Sequence, residues 1–426
     1  MSVKNHLNAI SESIRSWTGT KNLLTIDEML YELSYLTGYD ISSTESTTLE
    51  KKLAVMADII KYKTMETEKL SLKDMAVEIQ NFFKGDENSI VRIKKKFYSS
   101  ISDAIYEAND GDTLTLLRDI TLENVTYTFF INKAITIDGK KADGKNHKIT
   151  ADITTDYMSN LFQANADFTM QNVDVTLTSK AKSSVVNGGA NITVKNCNFD
   201  TQYRAVTFFR APTDKKLSIS NSNIVGGNCV LYLYQCSGGA EIADNSLIDC
   251  RADASDDGTS AVYVSGCNTN VAIAASTIKS ENIGVQINKG SCNLHLGEDS
   301  IIETNTSHAI YAGGVGVGIH VYFASNAYVE SSKETDPYFT VNTSNYSIEF
   351  AEEYGRYAMS SGAPHSSGSG GFALEFFDNY DDVINNNKLA NLFTYRLDAA
   401  NEFSDNGYTV HTLTDTFAKP YYSIVI

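Results

Sequence analysis

Between Phe168 and Ile310 two side-chain patterns return roughly every 24 residues, and repeats of that length are the signature of a solenoid. One is a short alternating strand ending at an amide: Phe168, Met170 and Asn172, then Ile192, Val194 and Asn196, then Leu217, Ile219 and Asn221. It continues more loosely through Ala240, Ile242 and Asp244, through Val271, Ile273 and Ala275, and through Leu294, Leu296 and Glu298. The other is a partner strand led by Val185, Val206, Val230, Val262, Val285 and Ile310. In both, apolar residues alternate with Ser, Thr, Asn and Lys, the period of strands with one wet face. One such turn cannot bury its apolar side alone, so the turns must stack. The expected fold is therefore mainly β: a right-handed parallel β-helix, with a small α-helical N-terminal region and a mixed, β-rich C-terminal region.

Asn172, Asn196 and Asn221 fall one turn above another at a corner of the coil. Asn tolerates left-handed backbone and bonds its own turn or a neighbouring amide. The three are read as a structural ladder and not as catalytic groups.

The stretch before the repeat has the marks of an end cap. Ile101, Ala104, Ile105 and Ala108 share one face of a short helix, Asn109-Asp110-Gly111 stops it, and Leu114 and Leu116 begin a strand. A helix over the open end of a solenoid blocks end-to-end association. These residues resemble the entry cap of pectate-lyase-like β-helices, and Ala134-Ile-Thr-Ile-Asp138-Gly139 resembles their first full coil. The resemblance implies the fold and leaves the function open, because this fold hosts lyases, hydrolases, adhesins and inert shafts.

A helical repeat opens the chain. Leu7 to Met29 parallels Leu53 to Met75: a helix, a polar turn, then a second helix capped by Thr25 or Ser71. Asp27, Glu28 and Asp74 fall in first turns, where carboxylates suit the helix dipole. Trp17 is read as a core anchor of the first unit. Ile14-Arg-Ser-Trp-Thr-Gly19 and Leu24-Thr-Ile-Asp-Glu-Met29 resemble the helix-turn-helix repeats of tail fibre and baseplate proteins in phages of Gram-positive bacteria. The second copy keeps Thr64 and Met75 but has Met65 where the glycine would stand. That resemblance implies a particle component attached through its N-terminal region to other virion or tail proteins. The expected organisation is residues 1–84 for two helical hairpins, 85–98 for a linker, 99–325 for the capped β-helix and 326–426 for a C-terminal domain. The basic strip from Arg92 to Lys96 reads as a solvated strand leading into the solenoid.

Composition excludes several classes. A formal charge of −17 opposes nucleic-acid binding, which needs a basic surface. No apolar run approaches the ~20 residues of a membrane span. Met-Ser-Val-Lys-Asn-His leads into a helix without an apolar signal core, so no signal peptide is expected. The six cysteines all lie in the solenoid without CxxC spacing, and seven scattered histidines form no ligand motif. No cofactor or metal is implied, and the cysteines read as small buried residues.

The two series also locate an insertion. Both lengthen by about eight residues at one coil, so the excess lies between Ala240 and Val262, around Asp249 to Thr259. Loops on a rigid scaffold are where sites are grafted. Asp253, Asp256 and Asp257 cluster there, and Glu281 falls about one coil later. Carboxylates roughly 5–9.5 Å apart serve glycoside hydrolysis, and Asp256-Asp257 faintly resembles the paired aspartates of polygalacturonase-like β-helices. Their companion Gly-His-Gly and Arg-x-Lys elements are absent, as are the calcium-binding acids and catalytic Arg of pectate lyases. The preferred reading of this loop is a solvated, non-catalytic one.

Beyond the repeat, strands are expected at Tyr346–Phe350, Phe372–Phe377, Tyr408–Leu413 and Tyr421–Ile426, with a helix near Asp382–Phe403. Taken together, the expectation is a structural and adhesive phage tail or tail-like component, located in the virion, trimeric, and contacting a host surface glycan or cell-wall polymer. The alternative is a tailspike polysaccharide depolymerase using Asp253, Asp256, Asp257 and Glu281.

Overall fold

The structure is a computed structural model. It describes residues 7–8, 10–12, 14–15, 24–37, 49–64, 71, 75, 88–94, 96–141, 144–155, 160–179, 182–251, 259–313, 317–331, 339–342, 346–351, 357–360, 374–377, 391–394, 409–413 and 421–425. The chain divides into two compact units. One comprises Met1–Thr121, Lys133–Thr150 and Met170–Asp174; the other comprises Leu122–Asn132, Ala151–Thr169 and Val175–Ile426.

In the first unit, helices Ile26–Thr37 and Leu49–Thr64 carry their apolar residues on one side. Met29, Leu30, Leu33, Met56, Ile59 and Ile60 pack with Ile10, Ile14 and Met75 in one cluster. Thr25 and Glu28 close a reciprocal capping box: the Thr25 N–H donates to Glu28 Oε2 at 2.7 Å, and the Glu28 N–H donates to Thr25 Oγ1 at 3.3 Å. Those bonds hold the Glu28 carboxyl below its usual range. Met75 N–H donates to Ser71 O at 2.8 Å, the matching start in the second copy. Trp17, Gly19, Met65 and Asp74 lie outside the described residues.

The basic strip is solvated at Lys94 and Lys96, as expected, but not at Arg92. Val91–Ile93 pairs antiparallel with Lys96–Tyr98 on one side and Leu114–Leu116 on the other, which buries all three of its residues. Arg92 is only 9% exposed, and burial lowers its guanidinium to about 10. Pairing on both edges makes this segment a central strand of its sheet, and its side chains are enclosed with it. The cap helix spans Ile101–Glu107, with Ser100 accepting from the Asp103 N–H and Ile101, Ala104 and Ile105 buried. Lys133 Nζ donates to the Tyr106 and Ala108 carbonyls at its C-terminal end. Gly111, at φ +83°, makes the stop that Asn109-Asp110 begins.

The second unit is a parallel β-solenoid, and the chain as a whole makes about 8 turns of it. Three in-register ladders build it. One stacks Val186, Val206, Leu231, Val262, Val285 and Ile310. A second stacks Ile192, Leu217, Ala240, Val271, Leu294 and Val321. The third stacks Phe199, Ile224, Ile248, Ile278, Ile302 and Val329. None of these eighteen side chains is more than 5% exposed, so all three walls face one filled interior. Two sequence leads were one residue out: Val186 and Leu231 stand in the ladder, while Val185 and Val230 precede it. All four are fully buried, because the chain turns its corner into the strand with both residues inward.

The stack runs on past residue 325, with Phe339–Asn342 on Ile310–Gly313 and Tyr346–Phe350 on Ile319–Phe323. A five-stranded antiparallel sheet follows, in the order Leu374–Phe377, Tyr357–Ser360, Asn391–Thr394, Tyr421–Val425, Thr409–Leu413. Asn391–Thr394 replaces part of the helix expected near Asp382–Phe403. It is paired on both sides, and pairing outweighs a local helical preference.

One corner of the coil is left-handed throughout. Asn196, Asn221, Asp244, Asn245, Ala275 and Asp299 have φ between +45° and +59°, and Asn172 of the first unit has φ +54°. Just past it runs a buried serine column that the sequence reading did not notice. The Cys197 N–H donates to Ser222 Oγ, the Ser222 N–H to Ser246 Oγ and the Ser246 N–H to Ser276 Oγ, at 3.1–3.3 Å. Each of these hydroxyls donates back to a carbonyl of its own turn, at Ser220, Ala243 and Ala274. No buried hydroxyl of the column is left unmet. Ala275 is the one non-polar residue at this corner, and a left-handed alanine costs roughly 1–2 kcal/mol. Ala275→Asn is expected to raise the unfolding free energy by about 1 kcal/mol, and Asn221→Ala to lower it by a similar amount, both read from urea denaturation.

Candidate functional site

Alternation along the first ladder puts every second side chain outside. Val206 and Phe208, Leu231 and Leu233, Val262 and Val264, and Val285 and Ile287 point inward and are fully buried. Outward between them stand Thr207, Tyr232, Tyr263, Gln286 and Tyr311, one per coil and in register. Phe209 and Tyr234 form a second outward row beside the first. Neighbouring strands lie ~4.8 Å apart, close enough for rings on adjacent coils to touch.

They do touch. Phe209 and Tyr234 stack with centroids 5.7 Å apart and planes 5° from parallel. Tyr232 lies 5.3 Å from Tyr234 and 5.3 Å from Tyr263. Two guanidinium groups rest on this platform, Arg204 at 4.1 Å over the Tyr232 ring and Arg210 at 4.7 Å over Phe209. Arg210 Nε also donates to Gln235 Oε1 at 3.3 Å, and Asn288 Nδ2 donates to the Tyr263 hydroxyl at 2.7 Å. Among the described residues neither arginine makes an ion pair, and neither outward row carries an Asp or Glu. On a chain of charge −17 this face is locally cationic.

Three polar atoms on or beside it are buried without a hydrogen-bond partner: Asn187 Oδ1, Arg204 Nε and Gln286 Oε1. Gln286 is 9% exposed and sits between Tyr263 and Tyr311 in the outward row. Unmet buried polar atoms are rare in folded chains, and a group of them on one face leaves hydrogen-bonding capacity there for an added partner. Burial pushes the Tyr232 phenol up to about 12 against the opposing pull of Arg204. Burial also raises Tyr263, against the Asn288 bond. Both hydroxyls therefore remain neutral donors at ordinary pH. Flat rings, two cations and free amide groups suit a ring-shaped, hydroxyl-rich ligand.

The residues singled out from sequence lie elsewhere. Asp253, Asp256 and Asp257 are outside the described residues. Their insertion does fall where the spacing placed it: Cys250 to Ser260 spans ten positions, whereas the matching Ser280 to Ile283 spans three. Glu281 is aligned with Arg251, its N–H donating to Cys250 O at 3.0 Å. Its carboxylate accepts from Asn305 Nδ2 at 2.8 Å and its carbonyl from the Thr306 hydroxyl. In the ladder set, Asn221 Nδ2 donates to Asn196 Oδ1 at 2.6 Å, and Asn172 Nδ2 to Asp138 Oδ1 at 2.9 Å. No group of three or more His, Cys, Asp or Glu suited to a metal occurs among the described residues. The aromatic face escaped the sequence reading, although its signal was present: Leu231-Tyr-Leu-Tyr234 and Val262-Tyr263 put tyrosine where the repeat elsewhere uses Ser, Thr or Lys.

Comparison with protein-family models, with curated proteins and with solved structures gave no match. The class that the geometry defines is a parallel β-helix bearing an aromatic, cationic outer face.

The raised phenol of Tyr232 has a consequence for stability. The ordinary value is 10.0 and the folded value about 12, so the neutral phenol favours the folded chain up to about pH 10. That contribution is lost as the pH rises from about 10 through about 12. Tyr232→Phe cannot ionise and is expected to flatten the fall in melting temperature across that window, as followed by circular dichroism.

Proposed function

We propose that this chain is a structural and adhesive component of a phage tail or tail-like particle, with its β-helix as a stiff spacer and the Tyr232 face as the contact for a host surface polysaccharide. The single observation that carries the adhesive reading is that face: stacked rings, two arginines without an ion pair among the described residues, and buried polar atoms still short of partners. Aromatic side chains offer wide contact at low entropic cost, and cations over them orient the polar groups of a sugar. The spacer reading is supported by a stack in which every coil is bonded to its neighbours through main-chain ladders. The particle reading is supported by the N-terminal repeat, whose first copy closes its capping box at Thr25 and Glu28. Such fibres work as trimers attached through their N-terminal ends, and the same arrangement is proposed here, in the virion.

Purified protein is expected to bind polysaccharide extracted from the host surface, measured by isothermal titration calorimetry. Tyr232→Ala and Arg204→Gln are each expected to weaken that binding roughly tenfold or more, as for residues at the centre of a contact. Unchanged binding in both variants would remove the face from the reading. Release of reducing ends, abolished by Asp256→Asn with Asp257→Asn, would replace adhesion by depolymerisation. A chain starting at residue 85 is expected to fold yet fail to enter particles, scored by immunoblot of purified virions.

A further inference from the structure

Cys236 and Cys267 stand on adjacent coils at the turn that follows the outward rows. Their Sγ atoms are 3.2 Å apart, both thiols are free, and both side chains are buried. The Cys236 N–H donates to Cys267 Sγ at 3.3 Å, so the two residues already face one another along the bond that would join them. Tyr234 pairs with Ser265 in an unshifted ladder, and the same register carried two residues on sets Cys267 opposite Cys236. A turn with left-handed backbone lies beside the two cysteines. Gln235 at φ +50° and Gly266 at φ +67° pack against each other there, and Gln235, Ser237, Gly266 and Asn268 are exposed.

We infer that Cys236 and Cys267 form a disulfide between coils when the chain meets a disulfide oxidant such as glutathione disulfide, fastening the coil of Tyr232 and Tyr234 to the coil of Tyr263. The chemistry balances without further reagents. Cys267 thiolate attacks one sulfur of glutathione disulfide, and the first glutathione leaves as thiolate and takes up a proton. Cys236 then loses its proton and attacks Cys267 Sγ in the mixed disulfide, expelling the second glutathione. Two protein thiols are oxidised and one glutathione disulfide is reduced to two glutathione thiols. Cys267 is the better first nucleophile, because the thiol and N–H of Cys236 both point at its sulfur and favour its thiolate. Cys236 is correspondingly disfavoured as a thiolate, chiefly by its bond to Cys267 and by burial. Cys292 is the internal contrast: burial, helped by the charge of Cys267, pushes its thiol up to about 12.

The bond would close a separation of 31 residues along the chain, which includes the insertion at 252–258. Restricting a loop of that length in the unfolded chain stabilises the folded one. The inference does not rest on the identity of the ligand. It makes the face more rigid outside a reducing compartment than within one.

The test uses the full chain, reduced, freed of reductant, and incubated with glutathione disulfide near neutral pH. Thiols counted with Ellman's reagent in denaturant are expected to fall from six to four. Non-reducing peptide mass spectrometry should then join the peptides of Cys236 and Cys267, and the oxidised protein should melt at a higher temperature than the reduced one. Cys292→Ala should keep the bond, whereas Cys236→Ser should leave a glutathione adduct on Cys267. Six thiols persisting after incubation, a bond joining any other pair, or a melting temperature indifferent to oxidation would each overturn the inference. The wild-type peptide map decides even if Cys236→Ser fails to fold.

Discussion

Everything in the solenoid follows from main-chain hydrogen bonds running from each coil to the next. A parallel ladder satisfies every backbone group in the middle of the stack only if successive coils keep the same register. Register in turn requires the same corner in every coil, and the left-handed positions from Asn172 to Asp299 provide it. Where an amide occupies that corner, the side chain also bonds along the stack, as Asn221 does to Asn196. Once the corners align, alternation does the rest: one set of side chains fills the interior, and the other set is displayed in straight rows.

Those rows explain how a repetitive scaffold acquires a distinct face. Inward positions are held to aliphatic and aromatic residues by packing, and Val206, Leu231, Val262 and Val285 leave no room for polar chemistry. Outward positions carry no such constraint, so the tyrosines and arginines at 204–263 are not demanded by the fold. They cost something, too: Arg204 Nε and Gln286 Oε1 are buried without partners, and unmet groups of that kind destabilise by about 1–3 kcal/mol each. A cost without structural return points to a ligand. The same coil-to-coil spacing that packs Tyr232 against Tyr263 brings Cys236 to Cys267, so platform and thiol pair are two products of one register.

Sequence reading went furthest where a residue answers to its immediate neighbours. The cap helix was legible because Ile101, Ala104, Ile105 and Gly111 each answer to a local rule of periodicity or chain reversal. It failed where pairing decides. Arg92 looks like a solvated cation until two flanking strands close over it, and Asn391–Thr394 looks helical until it finds partners on both sides. The serine column was equally hidden, since serine at a turn is unremarkable unless three of them superpose.

From the order of residues alone came the period, the inward aliphatic positions, the left-handed corners and the coil that carries an insertion. Each is a local pattern repeated, and repetition survives in one dimension. The outer face was settled only in three dimensions. Tyr232 and Tyr263 are 31 residues apart because an insertion intervenes, whereas Tyr263 and Gln286 are 23 apart, and no fixed spacing marks the three as neighbours. Their adjacency arises because the ladder absorbs the insertion in a loop and restores register beyond it.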